Sequence, residues 1–382
     1  MVHLPDAPLP HALDTFRPAG DARPEGLASS LACEIHEHAV PPFVRDALDR
    51  LYGSMYASWR HLQLCEADRP LPHTWVARHH GDVVGALLFR IEDSRVLVLT
   101  EMMSIGLALV EAFCRSVYDR YPQADVIELN AVDVIDWARR RPLCWPVQSY
   151  AFSEDYVIAL PANVDAYRAS LGKSTRKTIT GYGNRVTREL PELRWTCREA
   201  AGMSLLEQRS LVRTLQRYKA DGMQERGKHA AIDRRDTARL LMLARDCGMY
   251  GIARVDGRVV AGSLACRFGD HYVMLLSAAD PALARYRLGF LACYWSICDC
   301  ISHHAVACHL LWGHYDYKVQ LLGQAKVLRR VQLYRSRLAM LWRPKPLARM
   351  VCQAGLHYGR SMARDYARGV KRCLDSALNG HS

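Results

Sequence analysis

The chain resembles itself: Trp75-Val-Ala-Arg-His-His-Gly-Asp-Val-Val84 and Gly251-Ile-Ala-Arg-Val-Asp-Gly-Arg-Val-Val260 share the pattern Ala-Arg-x-x-Gly-x-Val-Val. Each copy predicts a hairpin, in which Gly81 or Gly257 supplies the positive φ that a tight turn needs. Such hairpins occur in unrelated proteins, so the weight rests on the elements downstream of each one. Each copy continues through a strand ending near an arginine (Arg90, Arg267) into a third apolar strand, Arg95 to Thr100 or His271 to Ser277. A glycine, Gly106 or Gly289, then opens an amphipathic helix, Leu107 to Tyr118 or Phe290 to Ser302. A further apolar strand comes next, Asp125 to Asn130 in the first copy and Ala305 to Trp312 in the second. Three strands, a helix and a strand, twice over, predict two α/β lobes on one plan rather than a solenoid of short repeats.

With 382 residues, half of them hydrophobic, the chain is long enough for both lobes. Residues 1–26 carry Pro5, Pro8, Pro10, Pro18 and Pro24 without the apolar run of a signal peptide, and read as a disordered leader. The lobes are expected over 27–160 and 161–335, with a basic helical tail over 336–382. Thirteen cysteines show no small-domain spacing, which predicts reduced thiols and a cytoplasmic protein. The apolar stretch Phe290 to Ile301 is too short to span a bilayer.

The formal net charge of +12 favours partners that carry phosphate or carboxylate. Two segments concentrate it. A helix starting at Pro161 and running with interruptions to about Leu190 carries Arg168, Lys173, Arg176, Lys177, Arg185 and Arg188, interleaved with Ser174, Thr175, Thr178 and Thr180. Cations and hydroxyls together hold phosphate oxygens, although a solvated helix face would look similar. Beyond Ser336, nine Lys and Arg face only Asp365 and Asp375. That tail suits an acidic partner or the inner membrane face, or packs as a plain terminal helix. A helix over Leu205 to Tyr218 leads to a polar segment, Lys219 to His229, read as a loop over a cleft, and another helix spans Arg234 to Asp246.

Nucleophile elbows, zinc-protease helices, Walker loops and Gly-x-Gly-x-x-Gly are all absent. His36 and His38 would share one side of a strand but lack a third metal ligand, and Cys293, Cys300 and His304 share a helical face that suits a core better than zinc. The segment Leu310-Leu-Trp-Gly-His-Tyr-Asp-Tyr-Lys318 differs, because a strand end is followed by a dense set of proton donors and acceptors. Tyr315 or Tyr317 could protonate a leaving group, Asp316 or His314 could accept a proton, and Lys318 could stabilise an oxyanion. A polar turn is the plain alternative.

These residues resemble the GNAT superfamily in its duplicated form, specifically the CelD-like (BcsL-like) acetyltransferases, which are related to the Fem aminoacyltransferases. Leu171 to Leu190 resembles that family's Leu-Ser-x-x-x-Arg helix, with Arg176 at its arginine. Leu215 to Gly222 resembles its Leu-His-x-x-Arg-Trp region, with Tyr218 in the aromatic place. Ala279-Asp-Pro281 through Leu288-Gly289 resembles its Asp-Pro and Pro-Gly pair, and Tyr317-Lys318 its terminal Tyr-Lys. The resemblance covers Asp155 to Tyr334 well and the first lobe more loosely.

It implies a tandem GNAT-like acyltransferase fold, with mixed, mostly antiparallel sheets flanked by helices. It also implies direct attack by an amine or hydroxyl on a thioester, most simply acetyl-CoA or another acyl-CoA, without a covalent enzyme intermediate or a metal. Lys318 is then the charge beside the transferred acyl group. Lys173, Arg176 and Tyr218 are expected at the substrate. The coenzyme loop offers only Gly289, helped by Arg285 and Arg287, and Met103 to Gly106 is poorer still, so the first lobe is expected to be structural. The acidic, glycine-rich stretch usual before Tyr-Lys is replaced by His309-Leu-Leu-Trp-Gly-His-Tyr-Asp. The acceptor is expected to be a saccharide or sugar nucleotide. Two alternatives stay open: a Fem-like transferase using aminoacyl-tRNA, and a non-catalytic module of an envelope polysaccharide assembly.

Overall fold

The computed structural model describes residues 31–136, 143–224 and 234–342. In the first half the chain runs β1 (Ala32–His36), α1 (Pro42–Tyr52), α2 (Trp59–Cys65), β2 (His73–His79), β3 (Asp82–Glu92), β4 (Arg95–Val98), β5 (Met103–Gly106), α3 (Leu107–Arg120), β6 (Val126–Ile135) and β7 (Val147–Ala159). Two connecting helices come next, α4 (Val164–Ser170) and α5 (Lys173–Glu189). The second half runs β8 (Arg194–Glu199), α6 (Leu205–Gln224), α7 (Arg234–Ala244), β9 (Gly248–Val255), β10 (Arg258–Phe268) and β11 (His271–Ala279). It ends with α8 (Leu288–Ser302), β12 (Ala307–His309), α9 (Asp316–Gln320), β13 (Gln324–Tyr334) and α10 (Arg337–Trp342).

Both hairpins form, and for the expected reason. His80 and Gly81 have φ of 50° and 91°, and Asp256 and Gly257 have φ of 48° and 77°. Two consecutive left-handed residues match the twist of the strands they join. The likeness then extends further than the sequence reading: in each half an edge strand and two helices precede the hairpin. β4 pairs β6 in parallel and β11 pairs β12 in parallel, each pair linked by the helix the glycine was expected to open. The fold is a tandem, mixed α/β architecture, with a large, mostly antiparallel sheet between helices.

The halves share that sheet. Its order is β1-β2-β3-β4-β6-β13-β7-β12-β11-β10-β9-β8. β13, late in the chain, lies antiparallel between β6 and β7, and β7 in turn pairs β12. The join is therefore hydrogen-bonded backbone rather than a side-chain interface. The first core sits under α3, around Trp75, Phe89 and Phe113. Another sits under α8, around Tyr167, Tyr294 and Ile297. α8 is buried on most of its circumference, including Leu291, Ala292, Ile297 and Cys300, because α4 and α5 cover the side that the sheet does not.

Several local expectations change. The segment read as a loop from Lys219 is helical through Gln224, since α6 continues for two more turns; residues 225–229 of that segment lie outside the described residues, as do the leader 1–26 and positions 343–382 of the tail. β1 stops at His36, and His38 turns away with a φ of 48°, its ring against His73. Cys293 and Cys300 belong to the core under α8. Among the described residues no group of three or more His, Cys, Asp or Glu is placed to hold a metal ion. No helix among them is long and apolar enough to cross a membrane.

Candidate active site

β11 and β12 are hydrogen-bonded only over His271–Val273 and Ala307–His309. Beyond that point they part. β11 continues beside β10 to Ala279, while the chain after β12 stays with β7, with Leu310 N–H donating to the Tyr156 carbonyl and Tyr156 N–H to the Leu311 carbonyl. The sheet therefore opens into a V at its centre. On the β11 side the ladder with β10 slips, so that Met274 and Leu275 together stand where one residue would. Such a bulge re-aims main-chain groups at the place where strands diverge.

The first half has the same split between β4 and β6, but its own chain fills it. After β4 leaves the ladder, residues 100–102 cross over and β5 pairs β6, Met103 opposite Val132 through Gly106 opposite Ile135. β5 thus occupies the split of the first half, whereas among the described residues no strand pairs into the split between β11 and β12.

At the wide end of the open V, α8 begins. Arg287 precedes it in the left-handed conformation, φ 50°. Its guanidinium lies over the rings of Tyr182 and Phe290, 5.5 and 5.3 Å away. Arg285 stacks on Tyr286 at 4.7 Å, and Arg185 of α5 donates to the Arg285 carbonyl. Gly289 is in the first turn, with Ala279 Cβ 3.7 Å from where its own Cβ would stand. The free N–H groups of a helix start and a cluster of arginines attract phosphate.

At the start of α8, α5 places Arg185 and Tyr182 rather than the Lys173 and Arg176 expected at the substrate. Lys173 and Arg176 lie at the other end of the helix, and Arg176 donates to the Ala169 carbonyl at 2.7 Å. At 1.5 Å rise per residue, Arg176 is about 14 Å from Arg185 along the axis. Tyr218 is buried and donates its hydroxyl proton to the Val259 carbonyl at 2.7 Å. It lines an open groove of about 370 Å³ with Thr214, Arg217, Arg258 and Asp280. Asp280 is buried there, paired with Arg258 and capping the Ala282 N–H.

At the narrow end of the V lies the segment His314–Lys318, and the structure brings most of it together. The turn before it depends on Leu311 at φ 57° and Gly313 at φ 90°. A Cβ on Gly313 would also stand 3.0 Å from the Tyr315 ring. Tyr315 is half exposed and stacks on Tyr317, 6.0 Å between centroids. Burial pushes the Tyr317 phenol well above its ordinary range. Asp316 opens α9 with its carboxylate 93% exposed. His314 Nδ1 shares a 2.5 Å hydrogen bond with the Tyr156 hydroxyl, and its Nε2 faces Asp316 at 3.9 Å.

Lys318 is almost entirely buried, at 2% exposure. Its Nζ donates to three carbonyls, those of Leu310 at 2.7 Å, Leu311 at 2.9 Å and Trp312 at 2.8 Å. Three donors meet three acceptors, which only the ammonium form provides. Burial draws its pKa down to about 8, against the pull of Asp155 and Glu154. α9 is a single turn of five residues, and the three carbonyls hold the cation at its place in it. Lys318 thus grips the turn that carries His314 and Tyr315.

Three groups at this end escaped the sequence reading. Tyr156, Asp155 and His271 come from β7 and β11, far from the segment His314–Lys318 in the chain, and carry no local motif. His309 stood within the replaced stretch but was not singled out as a site residue. His309 Nδ1 lies 2.6 Å from Asp155 Oδ2, and His309 Nε2 lies 2.8 Å from His271 Nδ1.

Residues 173–319 match the family described as "Acetyltransferase (GNAT) domain". No curated protein matches the chain. Among solved structures it is similar to FemX, with a TM-score of 0.57 at 10% identity over 78% of this chain and 96% of that one. It is also similar to a conserved protein of unknown function from Bacteroides thetaiotaomicron, with a TM-score of 0.51 at 12% identity over 80% of this chain and 100% of that one. At such identities the likeness is one of fold. The domain match supports a GNAT-type acyltransferase, and neither comparison specifies a donor or an acceptor.

Proposed function

We propose that the chain transfers an acyl group from coenzyme A to an amine or hydroxyl of a saccharide or sugar-nucleotide acceptor, as a relative of the CelD-like (BcsL-like) acetyltransferases. The observation that carries this reading is the asymmetry of the two splits: β5 pairs into one, and no strand pairs into the other among the described residues, where Arg285 and Arg287 precede α8. The lobe 161–335 supplies that cleft, and β7 of the lobe 27–160 lends it Tyr156.

In this reading the donor's phosphates lie at the start of α8 and its thioester reaches the narrow end. The acceptor attacks the thioester carbon, the new C–N or C–O bond forms, the C–S bond breaks, and the thiolate takes up a proton. Main-chain N–H groups at the Met274–Leu275 bulge receive the developing oxyanion. The hydrogen-bonded pair of His314 and Tyr156 takes and returns the proton. Lys318 keeps their turn in place. The test is calorimetry of acetyl-CoA binding with thiol release as the turnover readout; a chain that neither binds nor consumes any acyl-CoA refutes it.

A second reading, transfer from aminoacyl-tRNA, is favoured by the exposed cations of α5 that the cleft does not use: Lys173, Arg176, Lys177 and Arg188. RNA retained through purification and released by salt would support it over the first.

A further inference from the structure

A hydrogen-bonded chain of three side chains, His271, His309 and Asp155, with Asp270 beside its outer end, runs beneath the point where β11 and β12 part. Asp270, more than half exposed, lies 3.5 Å from His271 Nε2. His271 Nδ1 meets His309 Nε2 at 2.8 Å, and His309 Nδ1 meets Asp155 Oδ2 at 2.6 Å. The inner end is buried: Asp155 is 4% and His309 8% exposed. The other oxygen of Asp155, Oδ1, is buried without a hydrogen-bond partner.

The geometry limits the protons. Asp155 Oδ2 accepts from His309 Nδ1–H, so that nitrogen carries a proton. Burial alone would push Asp155 up, but His309, aided by Lys326 and Lys318, holds its carboxyl below the usual range. Burial and the neighbouring His309 draw His271 down to about 4. A single proton position lies between the two rings, so the pair of imidazoles carries one charge at most. His309 is the last residue of β12, and the next three residues give the carbonyls that hold Lys318. Asp155 is next to Tyr156, which holds His314.

We infer that Asp155 and His309 are positioning residues for acyl transfer, fixing the end of β12 so that Leu310–Trp312 hold Lys318, and through it the His314 turn, in reactive geometry. Their influence on Lys318 is electrostatic as well. The groups that face its ammonium are Asp155 and Glu154 from β7, Cys293 from α8 and Lys219 from α6, with the rings of Tyr156 and Tyr315 at 5.1 and 5.6 Å. Asp155 is the largest of the attractive charges. Removing it favours the neutral amine, which lacks the third donor.

This inference rests on the acyltransferase reading, and the test separates the two. In the full chain, Asp155→Asn keeps the size and loses the charge. Acetyl-CoA is the probe, with calorimetry for binding and thiol release for turnover. The expected result is a fall in kcat of roughly tenfold, a donor Kd within about twofold of the unaltered chain, and an alkaline limb of kcat that moves to lower pH. A folded Asp155→Asn with unchanged kcat and unchanged limb overturns the positioning role and leaves the acyltransferase standing. An unaltered chain that neither binds nor consumes acetyl-CoA removes the underlying reading, and this inference with it. Should Asp155→Asn not fold, proton NMR of the unaltered protein decides. A far-downfield imidazole N–H from His309 that persists through the active pH range supports the pair, and its absence overturns it.

Discussion

Gly53 of the first half lies so close to His271 of the second that a Cβ on it would stand 2.4 Å from the imidazole Cγ. Gly53 ends α1 in the left-handed conformation, φ 54°, so both its backbone angle and its surroundings exclude a side chain. Through this contact the helical layer of one half rests on the histidine pair of the other. Gly53→Ala is expected to destabilise the fold by about 2–4 kcal/mol, combining the positive-φ and overpacking costs. Chemical denaturation measures this. A variant within about 0.5 kcal/mol of the parent would show that the halves do not meet here.

Lys318 is expected to set an upper pH limit on turnover. Its ammonium is needed for all three carbonyl contacts, and its pKa lies at about 8 rather than 10.5. As pH rises through 8 the amine loses a donor and the turn loosens, so kcat should fall along a limb near that pH. Linkage has the opposite sign for the fold. The unfolded lysine binds its proton more tightly than the folded one, so this group favours folding as pH climbs from about 8 toward 10.5. Activity lost without a lowered Tm over that range is the expected signature; a parallel fall of both would assign the limb to unfolding.

Replacing the same residue separates binding from turnover. Lys318→Ala strands three carbonyls and opens a cavity, expected to cost about 2–4 kcal/mol of stability and to lower kcat while donor affinity holds. The arginines at the start of α8 should behave in the converse way. The double change Arg285→Ala and Arg287→Ala is expected to weaken acetyl-CoA binding about tenfold or more, roughly 1.4 kcal/mol. The deficit should shrink at high salt because these side chains are solvated. Equal losses of kcat and affinity in both variants would contradict the division of the cleft into two ends.

What could be read from the sequence was local. The hairpins at Gly81 and Gly257 are legible because turn geometry depends on two residues, and α3 and α8 because apolar spacing is a short-range signal. The insertion of β13 between β6 and β7 has no such signal, since any apolar strand satisfies the pattern of any neighbour. The segment His314–Lys318 was legible by its density of proton donors, yet its partners were not. Tyr156 lies 158 residues from His314, and Asp155 lies 154 from His309. Arg185 was visible only as one cation among five on its helix. Packing against Tyr286, a tertiary fact, is what sets it apart from Arg176.

The plugged cleft leads to a stoichiometry. Tandem halves on one plan would suggest two donor sites, but β5 already hydrogen-bonds to the edge of β6 where a ligand would insert in the first half. Ser104 of that strand is tied to Asp133 at 3.0 Å and to Lys326 of β13. Displacing β5 would break four residue pairs of the ladder and both side-chain contacts, more than a flexible thioester arm recovers by entering. Calorimetry should therefore titrate to one acetyl-CoA per chain, and Arg285→Ala with Arg287→Ala should weaken that single event and uncover no second one. Two equivalents bound per chain would mean that β5 leaves the sheet and that the first half is a working site.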